Sequence, residues 1–240
     1  MASLLILKTG STYPSIRRTF GDFEDWFLKH LAAASDPVVR DVTREGPPET
    51  AEGWQGVVVT GSPAMVTERE AWSERTADWL REAVCQGVPV LGVCYGHQLL
   101  AHAFGGRVGF REQGRESGTF EVSLTDSGAA DSLLGQLPAR FPAHLTHAQS
   151  VLTMPDEATL LACSQGEPHQ AFRIGRHAWG VQFHPEFDRR IMTGYLETQA
   201  SDLAKEGQDP RKLLAGVIDT PQASSLLHRF MEYTRSLDTD

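Results

Sequence analysis

Residues 89–106 read PVLGVCYGHQLLAHAFGG. A buried-type apolar run, Val88–Val93, passes through Gly92-Val93-Cys94-Tyr95-Gly96 into a second apolar run, Gln98–Phe104, closed by Gly105-Gly106. The pattern predicts strand, tight turn and helix. G-x-C-x-G is the thiol counterpart of the elbow on which hydrolases mount a nucleophile. A side chain in place of either glycine would strike the strand or helix as the turn closes. Such an elbow lifts the sulfur above the carboxyl end of a sheet, where open α/β sheets bind ligands. It also sets the sulfur at a helix N-terminus, which favours thiolate. A lone cysteine is more often a small buried apolar residue. The flanking glycines and the preceding strand argue for the elbow here, which by itself fits peptidases, amidotransferases and stress proteins alike.

Upstream, short apolar runs alternate with amphipathic ones. Strands are predicted at Ser3–Lys8, Val38–Val42 and Gly56–Thr60, and helices over Phe20–Ala34 and Glu70–Cys85, the latter stopped at Gly87. This βαβα alternation predicts a mainly parallel sheet covered on both faces. Downstream the period shortens. Runs at Thr119–Leu124, Thr159–Cys163, Gln170–Ile174 and Trp179–Phe183 predict antiparallel additions at one side of the sheet. From Asp188 the chain reads as helical, broken at Pro210 and Pro221. The expected fold class is α/β: a single-domain, open, mainly parallel sheet flanked by helices, flavodoxin-like, with added antiparallel strands. Its motif-bearing core would cover about residues 1–187, with a helical segment over 188–240.

The chain has 240 residues with 40% hydrophobic content, enough for one large α/β domain and cramped for two. A formal net charge of −9 argues against a general nucleic-acid or bilayer-surface binder, both partners being anionic. The opening MASLLILKTG has only a strand's length of apolar residues and no basic flank, so it reads as a core strand rather than a signal peptide. Three cysteines, Cys85, Cys94 and Cys163, lack zinc-type spacing and argue against a disulfide scaffold, which points to a reducing cytoplasm. Cys85 and Cys163 are expected at or near the core.

A second motif lies far along the chain at Trp179-Gly-Val-Gln-Phe-His-Pro-Glu-Phe187. His184 should sit near the end of an apolar strand. Glu186, two residues on, faces the same way in extended chain. Pro185 restrains the backbone between them. The carboxylate can then hold one imidazole nitrogen and aim the other at a thiol: nucleophile, base and orienter. A lone His-Pro-Glu would be an ordinary surface loop. Its joint occurrence with the cysteine elbow, in this order, is specific.

On these segments the sequence resembles class I (triad-type) glutamine amidotransferases, in particular the glutaminase domain of GMP synthetase and stand-alone GMP-synthase-like proteins. The resemblance is carried by TGSP at Thr60–Pro63, GVCYGHQLLA at Gly92–Ala101, GRESGTFEVSLT at Gly114–Thr125, THAQSV at Thr146–Val151 and GVQFHPEF at Gly180–Phe187. It implies that Cys94 attacks the side-chain amide of glutamine, that His184 moves the proton and that Glu186 orients His184. A γ-glutamyl thioester would then be hydrolysed. The resemblance further implies an oxyanion hole from the Tyr95 backbone N–H with Gly61 or Ser62. It also implies a glutamine pocket lined by Gln98 and the backbone around His147, Ala148 and Gln149. Where the GMP synthetase pattern has Ser-His-Gly-Asp, this chain has Ala148 and Gln149 in the last two places.

No catalytic metal or cofactor is expected. His97, His102, His144 and His147 lie outside any H-E-x-x-H or cysteine-rich setting, and no phosphate-binding loop or ATP-pyrophosphatase loop is present. Arg111, Arg115, Arg189 and Arg190 read as solvated side chains. The leading expectation is a glutaminase that hands ammonia to a separate synthase subunit, because this chain contains no acceptor-activating domain. The alternatives are a γ-glutamyl peptidase or hydrolase with the same triad, and a binding or regulatory module that keeps the fold without turnover.

Overall fold

A computed structural model describes residues 3–31 and 36–237. In chain order the first four strands are β1 (Leu4–Lys8), β2 (Val38–Asp41), β3 (Gly56–Val59) and β4 (Val90–Val93). They are followed by β5 (Arg107–Phe110), β6 (Glu116–Leu124), β7 (Arg140–His147) and β8 (Gln149–Thr153). The last three are β9 (Ala158–Cys163), β10 (Ala171–Ile174) and β11 (Ala178–Val181). The helices are α1 (Pro14–Phe20), α2 (Phe23–Leu31), α3 (Val42–Glu45), α4 (Ala71–Cys85) and α5 (Tyr95–Ala103). Then come α6 (Asp126–Ala129), α7 (Arg189–Lys205), α8 (Pro210–Ala215) and α9 (Pro221–Leu237).

Nine strands form one sheet in the order β2-β1-β3-β4-β11-β10-β9-β6-β7. The half from β2 to β11 is parallel; β11, β10, β9, β6 and β7 pair antiparallel. Strands β1, β3 and β4 are buried along their whole length, which is why they read as unbroken apolar runs. Their side chains still sort by the two-residue period of a strand. Leu4, Ile6, Val58 and Leu91 pack under α2 and α9 with Phe27, Leu31 and Phe230. Leu5, Leu7, Val57, Val59 and Val90 pack under α4 and α5 with Trp72, Leu80 and Leu99. The mainly parallel α/β sheet with antiparallel additions is the fold expected from the sequence.

One pairing determines where the chemistry can occur. Strands β4 and β11 run parallel, with Gly92 opposite Gly180 and Val93 opposite Val181. The Cys94 N–H continues the ladder, donating to the Val181 carbonyl at 2.9 Å. The residues that follow these two strands therefore emerge side by side at one edge of the sheet.

Several boundaries differ from those expected. The helix predicted over Phe20–Ala34 is two helices. Gly21 takes φ +85°, Phe20 ends α1, and Asp22 restarts the chain by accepting the Phe23 N–H at 3.0 Å. The predicted end at Ala32–Ala34 lies outside the described residues. Val42 opens α3 instead of ending β2, because Asp41 caps that helix through the Thr43 N–H at 3.1 Å. Helix α5 begins at Tyr95, directly after the cysteine, earlier than the predicted Gln98. Strands β5, β7 and β8 have no counterpart among the expected runs. Pro142 argues against a strand in β7, but β7 is the edge of the sheet, where a missing N–H costs no ladder bond. Pro210 and Pro221 each open a new helix at its first position, where proline fits. Cys85, expected near the core, is exposed, and Cys163 is half-buried.

Candidate active site

Cys94 stands between β4 and α5 with φ 51° and ψ −98°, a strained conformation for a residue with a β-carbon. The two glycines make this turn feasible. A β-carbon on Gly92 would lie 2.4 Å from the Gly96 carbonyl oxygen, and one on Gly96 would lie 2.5 Å from the Val59 carbonyl oxygen. The strand, elbow and helix are thus packed backbone to backbone. Cys94 is nearly buried, and its Sγ lies 3.9 Å from the Thr146 carbonyl. Tyr95, the first residue of α5, has one of the backbone N–H groups that a helix start leaves unpaired. Its side chain points away into the core, where it stacks on Trp72 and shares a 2.6 Å hydrogen bond with Ser73.

His184 and Glu186 follow β11 and are buried. Glu186 Oε1 lies 2.8 Å from His184 Nδ1; a turn at Pro185–Glu186, with the Phe187 N–H donating to the His184 carbonyl at 3.4 Å, brings them together in place of the extended chain expected. The ring is stacked on Phe187 at 4.0 Å, and its own backbone N–H donates to the His144 carbonyl at 2.8 Å. Burial works against a charge on this imidazole. The Glu186 carboxylate and the Cys94 sulfur nevertheless outweigh burial and push its pKa up to about 10. Nε2 is buried and has no partner at normal hydrogen-bond distance among the described residues; the Cys94 sulfur is the group near enough to help hold the proton on this ring.

The other predicted residues gather around the same point. Gly61 abuts the histidine: a β-carbon there would lie 3.0 Å from His184 Cε1. The turn is held by Thr9, whose hydroxyl donates to the Gly61 carbonyl at 3.0 Å, and by Ser62, whose hydroxyl donates to the Thr9 carbonyl at 2.6 Å. Gln98 donates its amide N–H groups to the Gln149 carbonyl at 2.7 Å and to Gln182 Oε1 at 2.9 Å. Among the described residues its own carbonyl oxygen accepts no hydrogen bond. His147 spends both ring nitrogens internally, on the Gln149 carbonyl at 2.9 Å and Glu116 at 3.1 Å. The segment Thr146–Gln149 is thereby anchored from behind.

These residues line a cavity of about 330 Å³, within the range of small-molecule sites. Cys94, Tyr95, Gln98, His184, Ser62 and the segment 146–149 all border it. Sequence reasoning missed its outer wall. Tyr13 comes from the loop after β1, and Tyr195 and Gln199 come from one face of α7. Thr12 and Tyr195 share a 2.6 Å hydroxyl contact that ties loop to helix. Only a positional cue existed: the loop after β1 leaves the same carboxyl edge of the sheet as the elbow. The arginines also need correcting. The Arg111 side chain is covered and bonds Glu116 at 2.6 Å, and Arg115 borders the cavity instead of standing in solvent.

His97 and His144 are buried and uncharged. Burial drives the first down to about 3. For the second, burial reinforced by nearby His184 gives about 4. No described helix is long and apolar enough to cross a membrane.

Residues 25–200 match the family model for glutamine amidotransferase class-I. The chain belongs to the class I glutamine amidotransferase family. Among its relatives, the glutamine-hydrolysing GMP synthase of Aeropyrum pernix is 39% identical to this chain over 146 residues, 59% of the chain but 27% of that protein. The glutamine-hydrolysing GMP synthase subunit of Halobacterium salinarum is 34% identical over 66% of this chain and 81% of its own length. γ-Glutamyl peptidase 3 of Arabidopsis thaliana is 28% identical, covering 74% of each protein. A glutamine amidotransferase from Thermotoga maritima has the same fold, with a TM-score of 0.76 at 23% identity over 98% of both chains.

Proposed function

We propose that this amidotransferase releases ammonia from L-glutamine through a γ-glutamyl thioester on Cys94. The observation that carries the reading is the His184 imidazole, pinned through Nδ1 by Glu186 while the elbow sulfur is near enough to act on its proton. The thiolate attacks the side-chain amide carbon, and the oxyanion takes hydrogen bonds from the Tyr95 N–H and from the Gly61–Ser62 turn. As the C–N bond breaks, His184 gives its proton to the leaving nitrogen, which departs as ammonia. Water then attacks the thioester carbonyl while His184 takes a proton from it. Glutamate leaves and the thiolate is restored. Gln98, with its carbonyl oxygen free, and the backbone of 146–149 hold the amino-acid head group. The whole chain acts as one glutaminase unit in the cytoplasm and supplies a separate synthase. The similarity to the Halobacterium GMP synthase subunit supports that reading.

The γ-glutamyl peptidase reading also has specific support. The Arabidopsis peptidase aligns with this chain over equal shares of both proteins, whereas the Aeropyrum synthase does so over a small part of its length. The same thioester would then release an amine or peptide. The test is kcat/KM for glutamine against a panel of γ-glutamyl peptides, with acid-quench mass spectrometry of the acylated protein. Wild type should accumulate a γ-glutamyl adduct on Cys94, and Cys94→Ser should neither form it nor turn over while keeping a native circular dichroism spectrum. Peptides far better than glutamine would replace the glutaminase reading with the peptidase one. Turnover by Cys94→Ser at the wild-type rate would end both.

A further inference from the structure

Among the described residues, those lining the cavity include no aspartate or glutamate, and Arg115 is their single lysine or arginine. That is unusual in a chain of net charge −9. The backbone of Arg115 is fixed from outside. Its N–H donates to Glu206 Oε2 at 3.0 Å and its carbonyl accepts from Gln208 Nε2 at 2.7 Å, both just beyond the end of α7. The guanidinium is far less committed. Its Nε is buried without a hydrogen bond among the described residues, and the Glu206 carboxylate that faces it stands off at 4.0 Å. Asp202, the other acid that feels this charge, is held by Lys205 at 2.9 Å. The side chain is 24% exposed, so it is partly stripped of water yet reachable from the cavity. A partly desolvated guanidinium with spare donors is matched by a planar anion that accepts two parallel N–H bonds.

We infer that Arg115 is the carboxylate anchor of the cavity and makes a carboxylate on the substrate a condition of efficient acylation. This rests on the proposed thioester chemistry at Cys94 and adds the substrate class to it. The carboxylate has two sources: the α-carboxylate of the γ-glutamyl half, or a carboxylate on the departing amine. With the first source the anchor serves glutamine and γ-glutamyl peptides alike; with the second it favours γ-glutamyl amino acids.

The test uses the intact chain as wild type, Arg115→Met and Arg115→Lys. The rate of Cys94 labelling is measured with a diazo ketone analogue of glutamine, as the free acid and as its α-carboxamide. Hydrolysis of γ-glutamylglycine is compared with that of γ-glutamylmethylamide. If the α-carboxylate is bound, R115M slows labelling by the free acid roughly 10- to 100-fold, leaves the carboxamide rate unchanged, and R115K recovers part of the loss. If the leaving carboxylate is bound, the selective loss appears only between the two γ-glutamyl amides. Because the structural bonds of Arg115 use its backbone, R115M should keep the wild-type melting temperature. Loss of equal size on both members of each of the two pairs, or no loss on any compound, overturns the anchor and leaves the Cys94 chemistry standing. No reaction of wild-type Cys94 with any of the four compounds overturns the thioester reading and the anchor together.

Discussion

Replacing Glu186 by glutamine tests the proposed triad at its orienting member. The carboxylate is buried, lies 2.8 Å from His184 Nδ1, and is the foremost reason the imidazole keeps its proton against burial. Glutamine keeps the shape and removes the charge. A charge-assisted hydrogen bond of this kind contributes about 1.5–3 kcal/mol, which corresponds to a loss of roughly 10- to 150-fold in kcat. The pH profile adds a signature that a packing defect would not produce. In wild type the imidazolium persists towards about pH 10, so an alkaline limb governed by its loss lies high. Without Glu186, burial acts with less opposition and that limb should move to lower pH. Stability should follow the same sign. A histidine with a raised folded pKa contributes stability that is full below its ordinary 6.5 and fades as pH climbs towards about 10. That fade should shrink in E186Q. Ammonia release measured from about pH 5 to 10.5, with urea melts at the same points, gives both readings. A rate within about threefold of wild type, together with an unmoved alkaline limb, would refute the assigned role of Glu186.

Two further outcomes follow from the elbow and its neighbour. Cys94→Gly should be more stable than Cys94→Ala by about 1 kcal/mol, because relief of positive-φ strain worth about 1–3 kcal/mol exceeds the entropy cost of glycine. Denaturant melts check this, and an alanine variant at least as stable would show that the backbone there is unstrained. His97, held neutral down to about 3 by burial, should make the protein acid-labile. The unfolded chain binds a proton near 6.5 that the folded one refuses, so stability falls as pH drops below 6.5, by up to about 1.4 kcal/mol per pH unit. His97→Leu should flatten the acid limb of the stability curve; an unchanged slope would exonerate this residue.

Features with local causes are legible in the chain alone. Apolar strands with β-branched residues and the glycines that bracket Cys94 depend only on chain sterics and strand period; His184 and Glu186 are near neighbours in sequence, but a turn and not strand period sets their contact. Local signals fail where context overrides them. Pro142 sits in a strand because that strand is an edge, and Gly21 splits a helix whose apolar spacing runs straight through it. Motif order points to a meeting of thiol and imidazole. Its cause is the parallel pairing of β4 with β11, a contact between distant segments that no local pattern encodes. The outer wall of the cavity and the loosely partnered Arg115 emerge only once the chain has folded. An arginine has the same composition in solvent or beside a cavity; what distinguishes the two is which other groups the fold brings within reach of its charge.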